Sequence, residues 1–272
     1  MSSQLPQSLV LVGAGKMGGA MLEGWVKLGL EGHRITLIDP HIGEAMSALA
    51  AEKGMNVNPA KPAPAEVVVL ATKPQMLDTA APSVQALIGP GTLLISVLAG
   101  KTLGDLGQRL PNAGAMVRAM PNLPASVGRG ITAAAAGPGV SAAQRAMADQ
   151  LLAGVGKVEW LESEGLIDAV TAVSGSGPAY VFHLVECMAA AGAAVGLPAD
   201  LAERLARATV EGAGELLFQS DLSPATLRQN VTSPGGTTAA ALAVLMAEQD
   251  GMPPLLRRAV AAAKKRAEEL AG

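Results

Sequence analysis

Short apolar runs alternate with longer helical patterns through the first part of the chain. The runs are SLVLVG (8–13), RITLID (34–39), EVVVLAT (66–72), TLLISVL (92–98) and AMVRAM (115–120), with helical patterns over 17–28 and 43–53 between the earliest of them. Near-continuous Val, Ile and Leu over strand length, bounded by Gly or Pro and separated by helices, predicts a doubly wound parallel sheet covered on both faces. GITAAAA (130–136) and KVEWL (157–161), with a helical 142–152 between them, are expected to extend that sheet at one edge. After about residue 162 the strand signals stop. From residue 177 onward only helical patterns follow, over 178–195, 199–218, 224–230, 237–248 and 253–270. Gly196-Leu197-Pro198 closes the first of these and opens the second, as glycine beyond a helix end and proline at a helix start do. The reading is an α/β domain over 1–162 followed by an all-helical domain over 163–272.

Composition narrows the function classes. The chain has 272 residues, enough to bury a substantial core in each of two domains. Hydrophobic residues make up 50% and aromatics only 2%, so Ala, Val, Leu, Ile and Met must build the core. The formal net charge is −3 with both signs scattered, which leaves no basic face for a nucleic-acid partner. One cysteine, Cys187, excludes an internal disulfide, and with three histidines no metal site is expected. The opening MSSQLPQS has no secretory pattern, so a cytoplasmic location is expected. The long apolar run 178–197 carries His183 and Glu186 and is rich in Ala and Gly, so it reads as a buried helix and not as a membrane span.

Candidate chemistry starts in LVLVGAGKMGGAM, where Gly13, Gly15 and Gly18 stand in GxGxxG spacing between a strand and a helix. Gly13 permits the tight turn, Gly15 lets the backbone approach a pyrophosphate, and Gly18 lets the helix pack on the strand. Together with Ala14, Lys16 and Met17 they form a dinucleotide loop at a helix N-terminus, the mark of a Rossmann-type domain. Asp39 ends the next strand, about twenty residues on, where an acidic residue accepts the ribose hydroxyls of NAD and repels the extra phosphate of NADP. It equally suits the start of a turn before Pro40, and Arg34 and His41 lie close by in sequence. Two further loops leave strand ends: Ala71, Thr72, Lys73 and Pro74 in ATKPQ, and Asn122 in MPNLP. Lys73 either meets a ribose or phosphate or is a solvated loop lysine. Asn122 either fixes the nicotinamide-side loop or forms a turn.

A second glycine loop, TSPGGTT (232–238), stands before an alanine-rich helical run. Ser233, Gly235, Gly236, Thr237 and Thr238 fit an anion cradle for a carboxylate. They also fit an ordinary cap in which a hydroxyl satisfies the helix start. SGSGPAY (174–180) is a second hydroxyl-rich helix start. The chain has no lysine between Lys157 and Lys264, and His183, the lone histidine of the helical part, reads as a packing or interface residue. A substrate already charged at nitrogen needs less acid–base help than an alcohol does.

VGAGKMG, ATKP, MPN, LIDAVTAVSGSGPAY and VTSPGGTT, in this order between about residues 8 and 270, resemble the pyrroline-5-carboxylate reductase family. The resemblance implies reduction of 1-pyrroline-5-carboxylate to L-proline by NADPH or NADH, with the first loop on the dinucleotide phosphates and TSPGGTT on the substrate carboxylate. It places the Thr238 hydroxyl beside the ring nitrogen as an orienting and polarising group. It also implies a homodimer through the helical domain, and larger rings of dimers. Two departures stand out. Many members carry Ser, Asn or Arg where this chain has Asp39, so their frequent preference for NADPH does not transfer and Asp39 leans to NADH. Leu123 replaces the threonine that many bacterial members have after MPN. Another cyclic imino acid or a β-hydroxyacid is the alternative substrate, although β-hydroxyacid enzymes use a lysine that this helical part lacks. The two intact glycine loops argue against a non-catalytic scaffold.

Overall fold

The computed structural model describes residues 5–271. Contacts divide the chain into two compact units, one running to Gly175 and joined by the chain from Lys264 onward, the other Ser176–Ala263.

In the first unit the strands are β1 (Leu9–Val12), β2 (Ile35–Ile38), β3 (Asn56–Val57), β4 (Val67–Leu70), β5 (Leu93–Ser96), β6 (Ala115–Met120), β7 (Gly130–Ala136) and β8 (Gly156–Trp160). Helices α1 (Lys16–Lys27), α2 (Glu44–Lys53), α3 (Leu77–Gln85), α4 (Leu103–Arg109) and α5 (Ala142–Ala153) connect them, and a short α6 (Ile167–Val170) follows. The sheet order is β3-β2-β1-β4-β5-β6-β7-β8, with the switch in direction of winding between β1 and β4. Val12 at the end of β1 pairs with Ile38 on one side and Leu70 on the other, so three strand ends meet where the first glycine loop begins.

Alternation along the strands explains the two layers of helix. Leu9, Leu11, Val67, Val69, Leu93 and Ile95 pack on α1, α2 and α5 through Met21, Trp25, Ala50 and Leu151. Val10, Val12, Val68, Leu70 and Leu94 face the other way, onto α3 and α4 through Leu77, Val84 and Leu106. Both faces are covered, which is why these strands are apolar throughout. Two details differ from the sequence reading. β6 and β7 are antiparallel, because only a 3-10 segment (Leu123–Val127) joins them and leaves no room for a crossover helix. β3 was not expected; its two residues are exposed and carry no strand-length apolar run.

The second unit is built from α7 (Gly177–Ala194), α8 (Ala199–Gln219), α9 (Pro224–Asn230), α10 (Thr237–Leu245) and the first part of α11 (Met252–Ala271). A five-residue π-helical segment, Thr171–Gly175, precedes α7. Gly192 lets α7 approach Ala202 of α8. Contrary to the expected buried helix, no residue of α7 is buried within the single chain, and Phe182 (57%) and Val195 (83%) are widely exposed. A helix apolar on every side is stable only when covered, so this one needs a partner surface. No helix among the described residues is long and apolar enough to cross a membrane.

Candidate active site

The first glycine loop leaves β1 at Gly13, whose φ of +95° only glycine adopts without strain. A Cβ there would stand 2.8 Å from the Ala71 carbonyl and the Thr72 nitrogen, and one at Gly18 would stand 2.0 Å from the Gly13 oxygen. Gly15 is different. A Cβ on it meets nothing within 4 Å, so this part of the backbone is bare and open. Gly15 is the N-cap of α1 and no side chain caps the helix, which leaves the first N–H groups of α1 without intrahelical acceptors. Lys16 is exposed and Met17 packs partly on the core. Alongside lies a cleft of about 450 Å³ lined by Ala14, Gly15, Lys16, Gly19, His41 and Ser126. Bare donors at the positive end of a helix dipole suit a pyrophosphate, so the residues present fit a dinucleotide.

Asp39 lies one residue beyond β2, and both of its carboxylate oxygens are engaged. Oδ2 accepts the Ala14 N–H at 2.7 Å and Oδ1 accepts the His41 N–H at 2.8 Å. The second bond is an Asx turn, so the turn-forming reading holds, and the first ties the residue to the glycine loop as well. Each oxygen keeps a further acceptor site free. Asn58 pairs with the Asp39 backbone in both directions: the Asp39 N–H donates to Asn58 Oδ1 at 2.9 Å, and Asn58 Nδ2 donates to the Asp39 carbonyl at 2.8 Å. Arg34 is paired with Glu31 at 2.7 Å. Beyond β4, the Ala71 N–H donates to the Val12 carbonyl at 2.8 Å. Thr72 is half-buried, and Lys73 is exposed just before the 3-10 turn Pro74–Met76.

Asn122 has its side chain fully engaged within this unit. Its Oδ1 accepts the Ile131 N–H at 3.0 Å, and its Nδ2 donates to the Ser174 hydroxyl at 3.2 Å. It therefore ties the loop after β6 to β7 and to the π-helical segment, while its backbone carbonyl accepts the Ala125 N–H at 3.1 Å and forms a turn as well. Sequence reasoning missed Arg118, four residues earlier and 4% exposed, which pairs with Glu164 at 3.0 Å and Asp168 at 3.6 Å. Glu164 also accepts the Leu103 N–H at 2.7 Å at the start of α4. The signal was an arginine inside an apolar strand together with two carboxylates at helical spacing.

In the second unit, TSPGGTT forms the approach to α10. Gly235 adopts a φ of +70°, and Gly236 is the N-cap in extended conformation. No side chain caps α10. The Gly236 N–H donates to the Ser233 carbonyl at 3.0 Å, closing the turn with backbone alone. Thr232 donates its hydroxyl to the Arg228 carbonyl. Ser233 and Thr237 are exposed, and Thr238 in the first helical turn is half-exposed. A Cβ at Gly235 would meet nothing within 4 Å. The helix start thus keeps its free donors and an unobstructed approach. His183 lies on exposed α7, bonded to Glu186 at 2.8 Å and next to the Cys187 thiol at 3.6 Å. No group of three or more metal-ligating side chains converges among the described residues.

Residues 164–270 match the family model described as pyrroline-5-carboxylate reductase dimerisation, and residues 8–100 match the one described as NADP oxidoreductase coenzyme F420-dependent. A pyrroline-5-carboxylate reductase of Pseudomonas aeruginosa is 40% identical over 233 residues, covering 85% of each chain. The chain belongs to the pyrroline-5-carboxylate reductase family. A solved pyrroline-5-carboxylate reductase from Coxiella burnetii superposes with a TM-score of 0.90 at 32% identity, covering 99% of this chain and 100% of that one. The Plasmodium falciparum pyrroline carboxylate reductase, solved with NADP bound, gives 0.80 at 25% identity over 99% of this chain and 100% of its own. The dimerisation model falls on the segment that contains α7, so this family member is an oligomer-forming reductase, and the apolar residues left exposed on α7 lie within its dimerisation segment.

Proposed function

We propose that this chain reduces 1-pyrroline-5-carboxylate to L-proline, holding the dinucleotide phosphates on the Gly13–Gly18 loop and the substrate carboxylate on Ser233–Thr238. The observation that carries the reading is the pair of uncapped glycine helix starts, in a chain 40% identical to a pyrroline-5-carboxylate reductase over 85% of its length. When bound, NAD(P)H supplies the hydride that is delivered to C5 of the imine. The protein binds and aligns. Free N–H groups at Gly15, Lys16 and Met17 receive the pyrophosphate, Lys73 at its strand end meets a ribose or phosphate, and Asn122 fixes the loop after β6. Gly235 and Thr237 offer backbone donors to the carboxylate, Gly236 closes the turn beneath it without adding a side chain, and Ser233 offers a hydroxyl. Thr238 hydrogen-bonds the ring nitrogen, orienting the imine and relaying a proton to it.

Asp39 favours NADH over NADPH. Its carboxylate is held in place, with acceptor sites left for the ribose hydroxyls, and its charge opposes a 2′-phosphate. By function, residues 1–162 serve the dinucleotide and residues 163–272 serve substrate and dimerisation. A dimer through the helical segment is the basic assembly and a ring of dimers the larger one. A free, exposed Cys187 suits the reducing cytoplasm. The experiment is NAD(P)H oxidation with 1-pyrroline-5-carboxylate, another cyclic imine, and a 2-hydroxyacid and a 3-hydroxyacid each supplied as its oxidised oxoacid. Turnover confined to the five-membered imino acid supports the reading, and turnover of the oxidised hydroxyacid with none of the imine refutes it.

A further inference from the structure

We infer that Asn58, a residue outside both glycine loops, sets the cofactor preference by locking Asp39 in place; the inference rests on the reading of Asp39 given above. β3 pairs with β2 for only two residues, Asn56 opposite Thr36 and Val57 opposite Leu37. At Asn58 the backbone turns to a φ of +45°, the one described non-glycine residue with positive φ, while its N–H still donates to the Leu37 carbonyl at 2.8 Å. The chain then leaves the sheet. The side-chain amide continues the ladder in its place, accepting from the Asp39 N–H at 2.9 Å and donating to the Asp39 carbonyl at 2.8 Å. A primary amide is suited to this, because it carries the same donor and acceptor as a peptide group, and asparagine tolerates the left-handed backbone.

Asp39 is consequently held at four points. Two are its own backbone groups on Asn58, and two are its carboxylate oxygens on the N–H groups of Ala14 and His41. A carboxylate so fixed cannot swing aside to admit a 2′-phosphate, and its free acceptor sites stay aimed in one direction for a ribose diol. Discrimination between two ligands needs a rigid repulsive element as much as an attractive one. Without the Asn58 amide, Asp39 loses two of its four anchors, those on its backbone, and the carboxylate gains room to relax. NADH binding then weakens and NADPH binding improves, narrowing the ratio from both sides. Asn58 acts through Asp39 and touches no reacting atom, so it is a positioning residue.

The test uses the full-length enzyme with Asn58→Gly, which accepts the positive φ and removes only the amide, together with Asp39→Ser and the double variant. Steady-state kcat and KM are measured with NADH and NADPH, and melting temperature is measured alongside. Asn58→Gly is expected to raise KM for NADH about two- to tenfold, the range for one or two net hydrogen bonds, with kcat moving far less. The NADH-to-NADPH ratio of kcat/KM falls with it. In the Asp39→Ser background the same glycine leaves the ratio within about twofold, because the clamp then has no carboxylate to hold. A ratio unchanged by Asn58→Gly while Asp39→Ser moves it overturns the role of Asn58 and leaves Asp39 standing. An equal shift with and without Asp39, or equal losses with both cofactors and a lower melting temperature, assigns Asn58 to general structure. A ratio that Asp39→Ser does not move removes both readings at once.

Discussion

Gly15 and Gly18 lie three residues apart in the same loop, yet alanine at each should fail in opposite ways. At Gly18 the added Cβ sits 2.0 Å from the Gly13 oxygen and 3.1 Å from the Gly13 carbonyl carbon, against roughly 3.3 Å for even a close C···O contact. The obstacle is backbone, so α1 or the loop must move by more than 1 Å by this estimate, at a cost of about 1–3 kcal/mol. At about 2–4 °C per kcal/mol for a domain of this size, the melting temperature should fall by roughly 2–12 °C. At Gly15 the Cβ meets nothing within 4 Å, and the φ of −70° and ψ of −163° suit any residue. The weaker N-cap and the lower entropy of the unfolded chain nearly cancel, so stability should hold within about 1 kcal/mol. That space is assigned to the pyrophosphate, whose charge-assisted bonds are worth about 1.5–3 kcal/mol each, so losing one raises the Kd for NADH roughly 10- to 100-fold. Thermal melts and fluorescence titration with NADH separate the two effects. Parent-like NADH affinity in Gly15→Ala, or a parent-like melt in Gly18→Ala, would refute the assignment of the loop.

Thr238→Ala should lower kcat roughly 10- to 1,000-fold with cofactor Kd preserved, as for deletion of a single positioned donor, and Thr238→Ser should keep much of the activity; parent-like kcat across the pH range would move the role to another group. Phe182→Glu places a charge on exposed apolar α7, and sedimentation should show it shifted toward monomer, whereas an undisturbed oligomer would take Phe182 out of the interface. Burial pushes the Asp105 carboxyl up, but hydrogen bonds from the Thr102 backbone and hydroxyl and the charges of Lys101 and Arg109 outweigh it and hold it below the usual carboxylate range. A depressed folded-state value means stability that is present above about pH 4 and lost as pH falls through the lowered value, so acid melts of Asp105→Asn should show a flatter loss below pH 4 than the parent.

Much of the first unit was legible because its constraints are local and periodic. Seven of the eight strands fall on runs read from the sequence, six of them apolar over strand length, and the Gly13, Gly15 and Gly18 spacing needs no tertiary information to be recognised. The start of α4 is equally readable: Thr102 and Asp105 form a capping box three residues apart. What escaped depends on partners distant in sequence. Asn58 meets Asp39 from the end of a strand too short to show a pattern. Arg118 looked like an interruption of an apolar strand until Glu164 and Asp168 came beside it. The run 178–197 looked like a core helix because the sequence records how apolar a segment is and not which chain covers it. For TSPGGTT the residues alone left cap and cradle open and the family resemblance supplied the cradle; the structure adds that no side chain caps α10.

The central claim is delivery of hydride to C5 of a five-membered imino acid. Its most direct measurement is incubation of the enzyme with 1-pyrroline-5-carboxylate and NADH carrying deuterium at both C4 positions of the nicotinamide, with the label located in the product by NMR. The account predicts L-proline carrying deuterium at C5, one equivalent for each NADH oxidised. Proline without label at C5, or NADH oxidised with no proline formed, would contradict it.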